Sequence, residues 1–296
     1  MFFALVASLR DRALANVLGW APKGVFSDVV GVLARSPLPR PLRPVLFTQF
    51  ARLVGASLAE VEKPLAEYAT LDAFFTRHLS PGARPMPEAA DLIACPCDGT
   101  LAQAGILRAG VLVQAKGIDY RLGDLLGDED MAAAFESGVY ATVYLSPKDY
   151  HRVHYMLDGR VTGYRHIPGR LFPVNRFAAA NVPDLFSQNE RLVTYMDTSI
   201  GRVAAVMVAA SGVGNISAGY DPVQTRRRGL GRPGERVELA PSVSVRRGEE
   251  MATFHLGSTV VVLFQRGRVI LRSEEPGRPV QLGQAFADRL VKEVAA

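Results

Sequence analysis

Three residue types in this chain could act together on a carbonyl group. They are a hydroxyl to attack, an imidazole to take its proton and a carboxylate to orient the imidazole. The hydroxyl is Ser258, in the run FHLGSTVVVLF, with Gly257 immediately before it. Glycine weakens a strand, because it packs no side chain and loses more entropy on ordering. A small residue beside a hydroxyl suits a reaction that breaks the backbone between them. The imidazoles are His151 and His154, three apart in YHRVH after the turn-like SPKDY. Histidine is the side chain best suited to moving protons near neutral pH. The carboxylate is Asp98, in Pro96-Cys97-Asp98-Gly99. Read singly, Asp98 is turn chemistry, each histidine is a packed or solvated ring, and Ser258 is a strand hydroxyl. The set of three types is what points to catalysis.

Two other classes compete with backbone cleavage. A serine hydrolase built on Ser258, His154 and Asp98 would carry a GxSxG elbow between strand and helix; here Ser258 leads into Thr-Val-Val-Val-Leu-Phe, which reads as a strand. A non-catalytic β-sandwich that docks on membranes is the second. No phosphate loop, dinucleotide fingerprint or HExxH helix is present. Cys95 and Cys97 are two apart, with poor geometry for a mutual disulfide, and without a second pair they do not make a zinc site. Reduced thiols and no metal are the expectation, and nothing in the sequence calls for a nucleic-acid partner.

The elements that must position these residues fall into two textures. Residues 1–19 and about 25–35 have helical apolar spacing, and Pro37, Pro39, Pro41 and Pro44 end the second stretch. Further helices are expected at 45–54, 58–67 and 71–79, the last with Thr70 as N-cap. From about residue 91, short β-rich runs alternate with Gly, Pro and Asp, which predicts a mostly antiparallel β-sandwich or barrel-like body. One helical insertion is expected near 121–136, and 221–236, with Arg226-Arg227-Arg228, reads as a basic loop. The fold class is therefore α+β. The division is 1–88, helical and membrane-associating, and 89–296, the β-rich catalytic part.

The chain has 296 residues, 48% hydrophobic and 21% charged, with a net charge of +5. All of that excess lies in residues 1–52, where Arg10, Arg12, Lys23, Arg35, Arg40, Arg43 and Arg52 face only Asp11 and Asp28. A basic, apolar leading segment on a neutral body suggests an anionic surface as partner, or a solvated helical face. No run approaches the roughly 18 apolar residues of a membrane span, and MFFALVASL lacks the flanks of a secretory signal.

The motifs, in order, resemble those of bacterial phosphatidylserine decarboxylase proenzymes over nearly the whole chain. FFTRHL with Arg84-Pro85, CPCDGT, QAKG, YLSPKDYHRVH, PGRLFPVN, NVPDLF, NERLV, and EEM leading into LGST all occur in family order. LGST alone would arise by chance in roughly one chain in a hundred; the ordered set would not. Two departures stand out. Pro173 replaces a small polar residue of the pattern, and His255 stands where a relative has Lys.

The resemblance implies a self-processing enzyme. Asp98, His154 and Ser258 correspond to the self-cleavage triad, His151 to the histidine of the decarboxylation step, and Asp149 to an acidic neighbour that orients the histidine. Cleavage between Gly257 and Ser258 would give a large chain, 1–257, and a small chain, 258–296, with Ser258 converted to a covalent pyruvoyl group. That group serves as an electron sink while phosphatidylserine loses CO2 to give phosphatidylethanolamine. The implied partners are phosphatidylserine in an anionic membrane, the two chains of one precursor, and a second copy in a homodimer. The implied location is peripheral, on the cytoplasmic face of the cell membrane. Basic amphipathic helices suit such a surface, each Lys or Arg contributing on the order of 1 kcal/mol.

Overall fold

The computed structural model describes residues 31–115, 118–211, 214–225, 234–255 and 257–290. The helix expected over 1–19, most of the one over 25–35, Lys116-Gly117 of QAKG, Leu256 and the core of the basic loop lie outside the described residues.

The body is organised around a strand that is buried on both faces. β13 (Ser258–Phe264) has no exposed residue, which is why it reads as an unbroken apolar run rather than an alternating one. It lies between β5 (Val139–Leu145) and β9 (Gly201–Ala209), with Ser258 opposite Leu145 and Ala209. The other strands of this sheet are β2 (Gly99–Ile106), β7 (Gly159–Ile167), β8 (Arg191–Thr198), β11 (Arg236–Val245) and β15 (Pro279–Val280). The order β11-β7-β8-β9-β13-β5-β2-β15 is antiparallel throughout and open, not closed into a barrel.

Alternate residues of β13 feed two separate cores, as the two-residue period of a strand requires. Val260, Val262 and Phe264 face one core, shared with Phe254, Met251, Ile216, Val269 and Ala287. These partners come from two smaller sheets. One is β1 (Leu92–Ala94), β16 (Ala285–Arg289) and β14 (Val269–Leu271); the other is β10 (Asn215–Ala218), β12 (Glu250–His255) and β6 (Arg152–His154). Val261 and Leu263 face the second core, with Leu122, Leu125, Leu126 and Phe135 of the helical insertion and Leu185 and Phe186. The result is a sandwich of sheets with helices on the outer face of the larger one. A hairpin, β3 (Val111–Ala115) and β4 (Ile118–Arg121), leads into the insertion.

The leading helices largely match expectation. α1 (Arg43–Val54) forms where 45–54 was predicted, and α2 (Leu71–Phe75) starts at Thr70, whose hydroxyl accepts from the Ala73 N–H at 3.0 Å. α2 is shorter than 71–79. Most of the helix expected over 58–67 does not form. Only a 3-10 turn at Leu65–Glu67 follows Pro64, and Val61 makes a bridge to Leu79 instead. Phe74 of α2 stacks on Phe47 of α1 at 4.7 Å between ring centroids, which with Tyr68 and Ala51 makes a small separate core.

Candidate active site

The FHLGSTVVVLF run is not one strand. β12 ends at His255 in a three-stranded sheet, and β13 begins at Ser258 in the eight-stranded one. Gly257 therefore sits in the crossing between two sheets, with φ +73°, a left-handed conformation that strains any residue bearing a Cβ. A Cβ there would also lie 3.1 Å from the Ser211 carbonyl oxygen and 3.2 Å from the Ala210 Cβ. The glycine that looked like a flaw in a strand is the residue that lets the chain change sheets.

A second crossing runs beside the first. β5 ends at Leu145, opposite Ser258, and β6 pairs with β12. The turn that joins β5 to β6 contains Ser146 to His151, and the His151 carbonyl accepts from the Phe254 N–H at 2.9 Å. Both strand pairs that flank the Gly257 crossing also flank this turn, so the topology runs the SPKDYH turn alongside Gly257-Ser258.

His151 is fully buried, with its ring 4.0 Å from that of Phe75. Its Nδ1 is 2.8 Å from the Asp149 carbonyl oxygen, which can only accept, so Nδ1 carries the proton and Nε2 keeps its lone pair. That Nε2 has no partner among the described residues. Burial pushes the pKa of His151 down to about 3, against a smaller raising effect of the Asp149 carbonyl. The Ser258 hydroxyl is likewise buried and without a partner among the described residues. Buried polar atoms without partners also occur elsewhere in this fold, at Tyr120, Thr142 and Tyr195 among others; what sets these two apart is that an imidazole nitrogen and a hydroxyl lie on the two neighbouring sheet crossings.

His154 is held differently. Its N–H donates to the Pro96 carbonyl at 2.8 Å, which draws β6 against the Asp98 turn. Its Nδ1 donates to the Gly248 carbonyl at 2.8 Å, and its Nε2 accepts from the Tyr150 hydroxyl at 3.1 Å. Burial lowers its pKa, while the Tyr150 phenol is pushed well above its usual range, again by burial. Both groups are thus neutral near pH 7, and the hydroxyl is the donor.

The expected side-chain pairing of Asp98 with His154 is absent. Asp98 instead accepts from Arg84 at 2.9 and 2.7 Å and from the Leu282 N–H at 2.9 Å. Arg84 also holds Glu60, at 2.9 Å, and lowers its pKa through that bond. A buried carboxylate needs charge and hydrogen-bond donors, and the guanidinium and the Leu282 amide meet that need before a neutral imidazole can. Asp149 also differs from expectation. Its carboxylate caps the turn by accepting from the Ser146 N–H and hydroxyl, both at 2.7 Å, and only its backbone carbonyl orients His151. The neighbouring Gly99 is needed because a Cβ there would collide with the Tyr144 carbonyl of β5.

Several residues at the site have partners that the sequence alone does not assign. Tyr150 occupies Nε2 of His154. Arg84 neutralises Asp98. Arg152 pairs with Glu250 at 2.6 Å and binds the Thr76 carbonyl. His255 bridges Asp72 and the Ser217 hydroxyl, each at 3.1 Å. Tyr150 and its partner are only four residues apart, whereas the partners of Arg84, Arg152 and His255 lie 14 or more residues away in sequence. Cys95 and Cys97 are buried and unpaired, and burial raises both thiol pKa values, that of Cys95 to about 12. Among the described residues no cluster of three His, Cys, Asp or Glu side chains could hold a metal ion.

A Gly-Ser crossing between two sheets, left-handed at Gly257, beside a turn that carries a buried imidazole, defines a candidate self-modifying centre. The family model for phosphatidylserine decarboxylase matches residues 71–288. Curated relatives named phosphatidylserine decarboxylase proenzyme align over almost the whole chain. The one from Anaeromyxobacter sp. (strain K) is 43% identical over 93% of this chain and 98% of its own length. Those from Myxococcus xanthus (strain DK1622) and Acidovorax ebreus (strain TPSY) are 40% and 42% identical, covering 88% and 95% of this chain and 92% and 99% of theirs. The chain belongs to the phosphatidylserine decarboxylase family.

Proposed function

We propose that this chain is the precursor of a pyruvoyl-dependent decarboxylase that converts phosphatidylserine to phosphatidylethanolamine and CO2. The observation that carries the reading is the Ser258 hydroxyl, buried and without a hydrogen-bond partner among the described residues, directly after a left-handed Gly257. The residues present fit the group: a serine whose oxygen is committed to no hydrogen bond is free to attack and then be consumed.

Ser258 Oγ loses its proton to an imidazole and attacks the Gly257 carbonyl carbon. The Gly257–Ser258 amide C–N bond breaks, the nitrogen takes the proton, and an ester links the two residues. Removal of the Ser258 α-proton expels the Gly257 carboxylate. Hydrolysis of the resulting dehydroalanine releases ammonia and leaves the pyruvoyl terminus of chain 258–296. The resemblance assigns the proton transfer to His154 with Asp98. In that case the Tyr150 hydroxyl must turn away from Nε2, and Asp98 acts through Arg84 and the packing of its turn. The unpartnered Nε2 of His151 favours a second reading, in which His151 is the base for cleavage as well as the proton donor for turnover. Ser258→Ala, His151→Ala and His154→Ala, compared for cutting on denaturing gels, separate the two.

When formed, the pyruvoyl carbonyl supplies the electron sink for loss of CO2. The chain's own residues bury that position: Phe75 packs on His151, and α2 and the segment to Arg84 are tied to the body by Arg84–Asp98 and Asp72–His255. We propose 1–88 as the membrane-associating part and 89–296 as the catalytic part, with residues 71–84 of the former contributing a wall of the site. Exclusion of water from the reacting carbon is the expected benefit.

The reading extends to the membrane. Val45, Leu46 and Leu53 of α1 are exposed, as are Val32, Leu33 and Leu42, beside Arg35, Arg40 and Arg52. An apolar surface rimmed by cations suits an anionic bilayer. No helix among the described residues is long and apolar enough to cross a membrane. We place the enzyme peripherally on the cytoplasmic face, as a homodimer of cut protomers. Release of labelled CO2 from carboxyl-labelled phosphatidylserine in vesicles tests the activity, and its absence with fully processed protein would refute it.

A further inference from the structure

Among the described residues around the site, Arg77 is the charged side chain whose needs the fold leaves unmet. It follows α2 and is only 4% exposed. A guanidinium has five N–H donors. Among the described residues this one makes a single long hydrogen bond, from Nη2 to the Lys148 carbonyl at 3.4 Å, and lies 5.2 Å from the Phe74 ring centroid. Its Nε is buried with no partner. The acids around it are committed elsewhere: Asp98 to Arg84 and the Leu282 amide, and Asp149 to Ser146. Burial consequently lowers the pKa of Arg77, against raising effects of Tyr68, Asp98 and Asp149. A buried cation without a hydrogen-bonded anion is costly, so a position built this way calls for an anion from outside.

The place is right for substrate. Arg77 touches the carbonyl of Lys148 in the SPKDYH turn, whose far end is His151 with its bare Nε2 and whose near end is Leu145, opposite Ser258. Phe75, two residues before Arg77, packs on the His151 ring. Arg77 also acts electrostatically on His151.

A serine phospholipid offers two anions, a carboxylate and a phosphodiester. Clamping the carboxylate in a dry site would stabilise the charge that has to leave as CO2, and so raise the barrier. The phosphodiester keeps its charge throughout, and guanidinium binds phosphate oxygens by paired hydrogen bonds. Resting on the substrate reading above, we propose that Arg77 binds the phosphodiester of the lipid headgroup and holds the serine moiety toward residue 258.

The test uses the processed full-length enzyme with Arg77→Gln and Arg77→Lys. Calorimetric titration with dioctanoyl phosphatidylethanolamine reads the contact without turnover, because the product keeps the phosphodiester and lacks the carboxylate. R77Q is expected to bind it at least about tenfold more weakly, or about 1.4 kcal/mol, and R77K to fall between. KM for dioctanoyl phosphatidylserine should rise by a similar factor, the change falling on KM rather than kcat, as loss of uniform binding requires. Equal product affinity in the wild type and both variants would overturn the assignment, and so would a loss confined to the serine lipid, which would point to the carboxylate. If R77Q is not cut, R77K carries the measurement. Displacement of the lipid by inorganic phosphate at equal concentration would contradict a headgroup site and indicate a free-phosphate site. Wild-type enzyme that releases no CO2 would sink the substrate reading instead, and the product titration would still judge Arg77.

Discussion

The Nδ1–H of His151 is fixed on the backbone carbonyl of Asp149 at 2.8 Å. One backbone oxygen thereby decides which nitrogen of a buried imidazole is bare. The carboxylate of the same Asp149 caps the turn that aims the carbonyl. A residue expected to orient a histidine through its side chain does so through its main chain.

The first prediction concerns acid. The folded-state pKa of His151, about 3, lies below its ordinary value of 6.5. Between these limits the unfolded chain binds a proton that the folded chain does not. Stability is therefore full above about pH 6.5 and falls as pH drops toward 3, by at most about 1.4 kcal/mol per pH unit for this one group. His154, also depressed by burial, adds in the same direction. Urea unfolding from pH 7 to 4 should show a shallower acid dependence in His151→Gln than in the wild type.

Gly257→Ala should slow cutting and reduce stability together. Its backbone has φ +73°, and the added methyl meets Ser211 and Ala210. The left-handed conformation alone costs a non-glycine residue about 1–2 kcal/mol. The checks are the rate of conversion to two bands in a pulse-chase, expected to fall, and the thermal midpoint of the Ser258→Ala background with and without the change.

Arg84→Gln should be among the more damaging substitutions outside the hydrophobic cores. It leaves the Asp98 carboxylate buried with the Leu282 amide as its remaining donor. Breaking a buried pair from one side costs about 3–5 kcal/mol. Because Leu282 belongs to the 258–296 chain, the loss should also weaken retention of the small chain, read by size exclusion in moderate urea.

The surface of α1 gives a prediction independent of catalysis. Leu53 is 85% exposed and Val45 62%. Leu53→Glu with Val45→Glu should weaken binding to phosphatidylglycerol-containing vesicles by tenfold or more, since each inserted side chain contributes about 1.5–3 kcal/mol. Cutting at 257/258 should be unaffected.

Much of this arrangement is legible in the sequence. Thr70 announced α2, the β-rich runs from residue 91 announced the sandwich, and the ordered motifs announced the family. Other features were hidden for identifiable reasons. The run FHLGSTVVVLF reads as one strand because both halves are apolar; the pairing of its halves in different sheets and the positive φ of Gly257 reveal the change. Residues 58–64 have helical spacing, but a bridge to Leu79 and Pro64 override it. Asp98 faces Arg84, not His154, because a buried carboxylate is better met by a cation than by a neutral ring, and spacing says nothing about that competition.

Self-processing turns on the bond between Gly257 and Ser258. Intact mass spectrometry of the purified full-length protein under denaturing conditions reads it directly. The account predicts two chains, 1–257 and 258–296, the smaller beginning with a pyruvoyl group in place of Ser258, and one uncut chain in Ser258→Ala. A single 32.0 kDa chain with an unmodified serine at 258 in the wild type would contradict it.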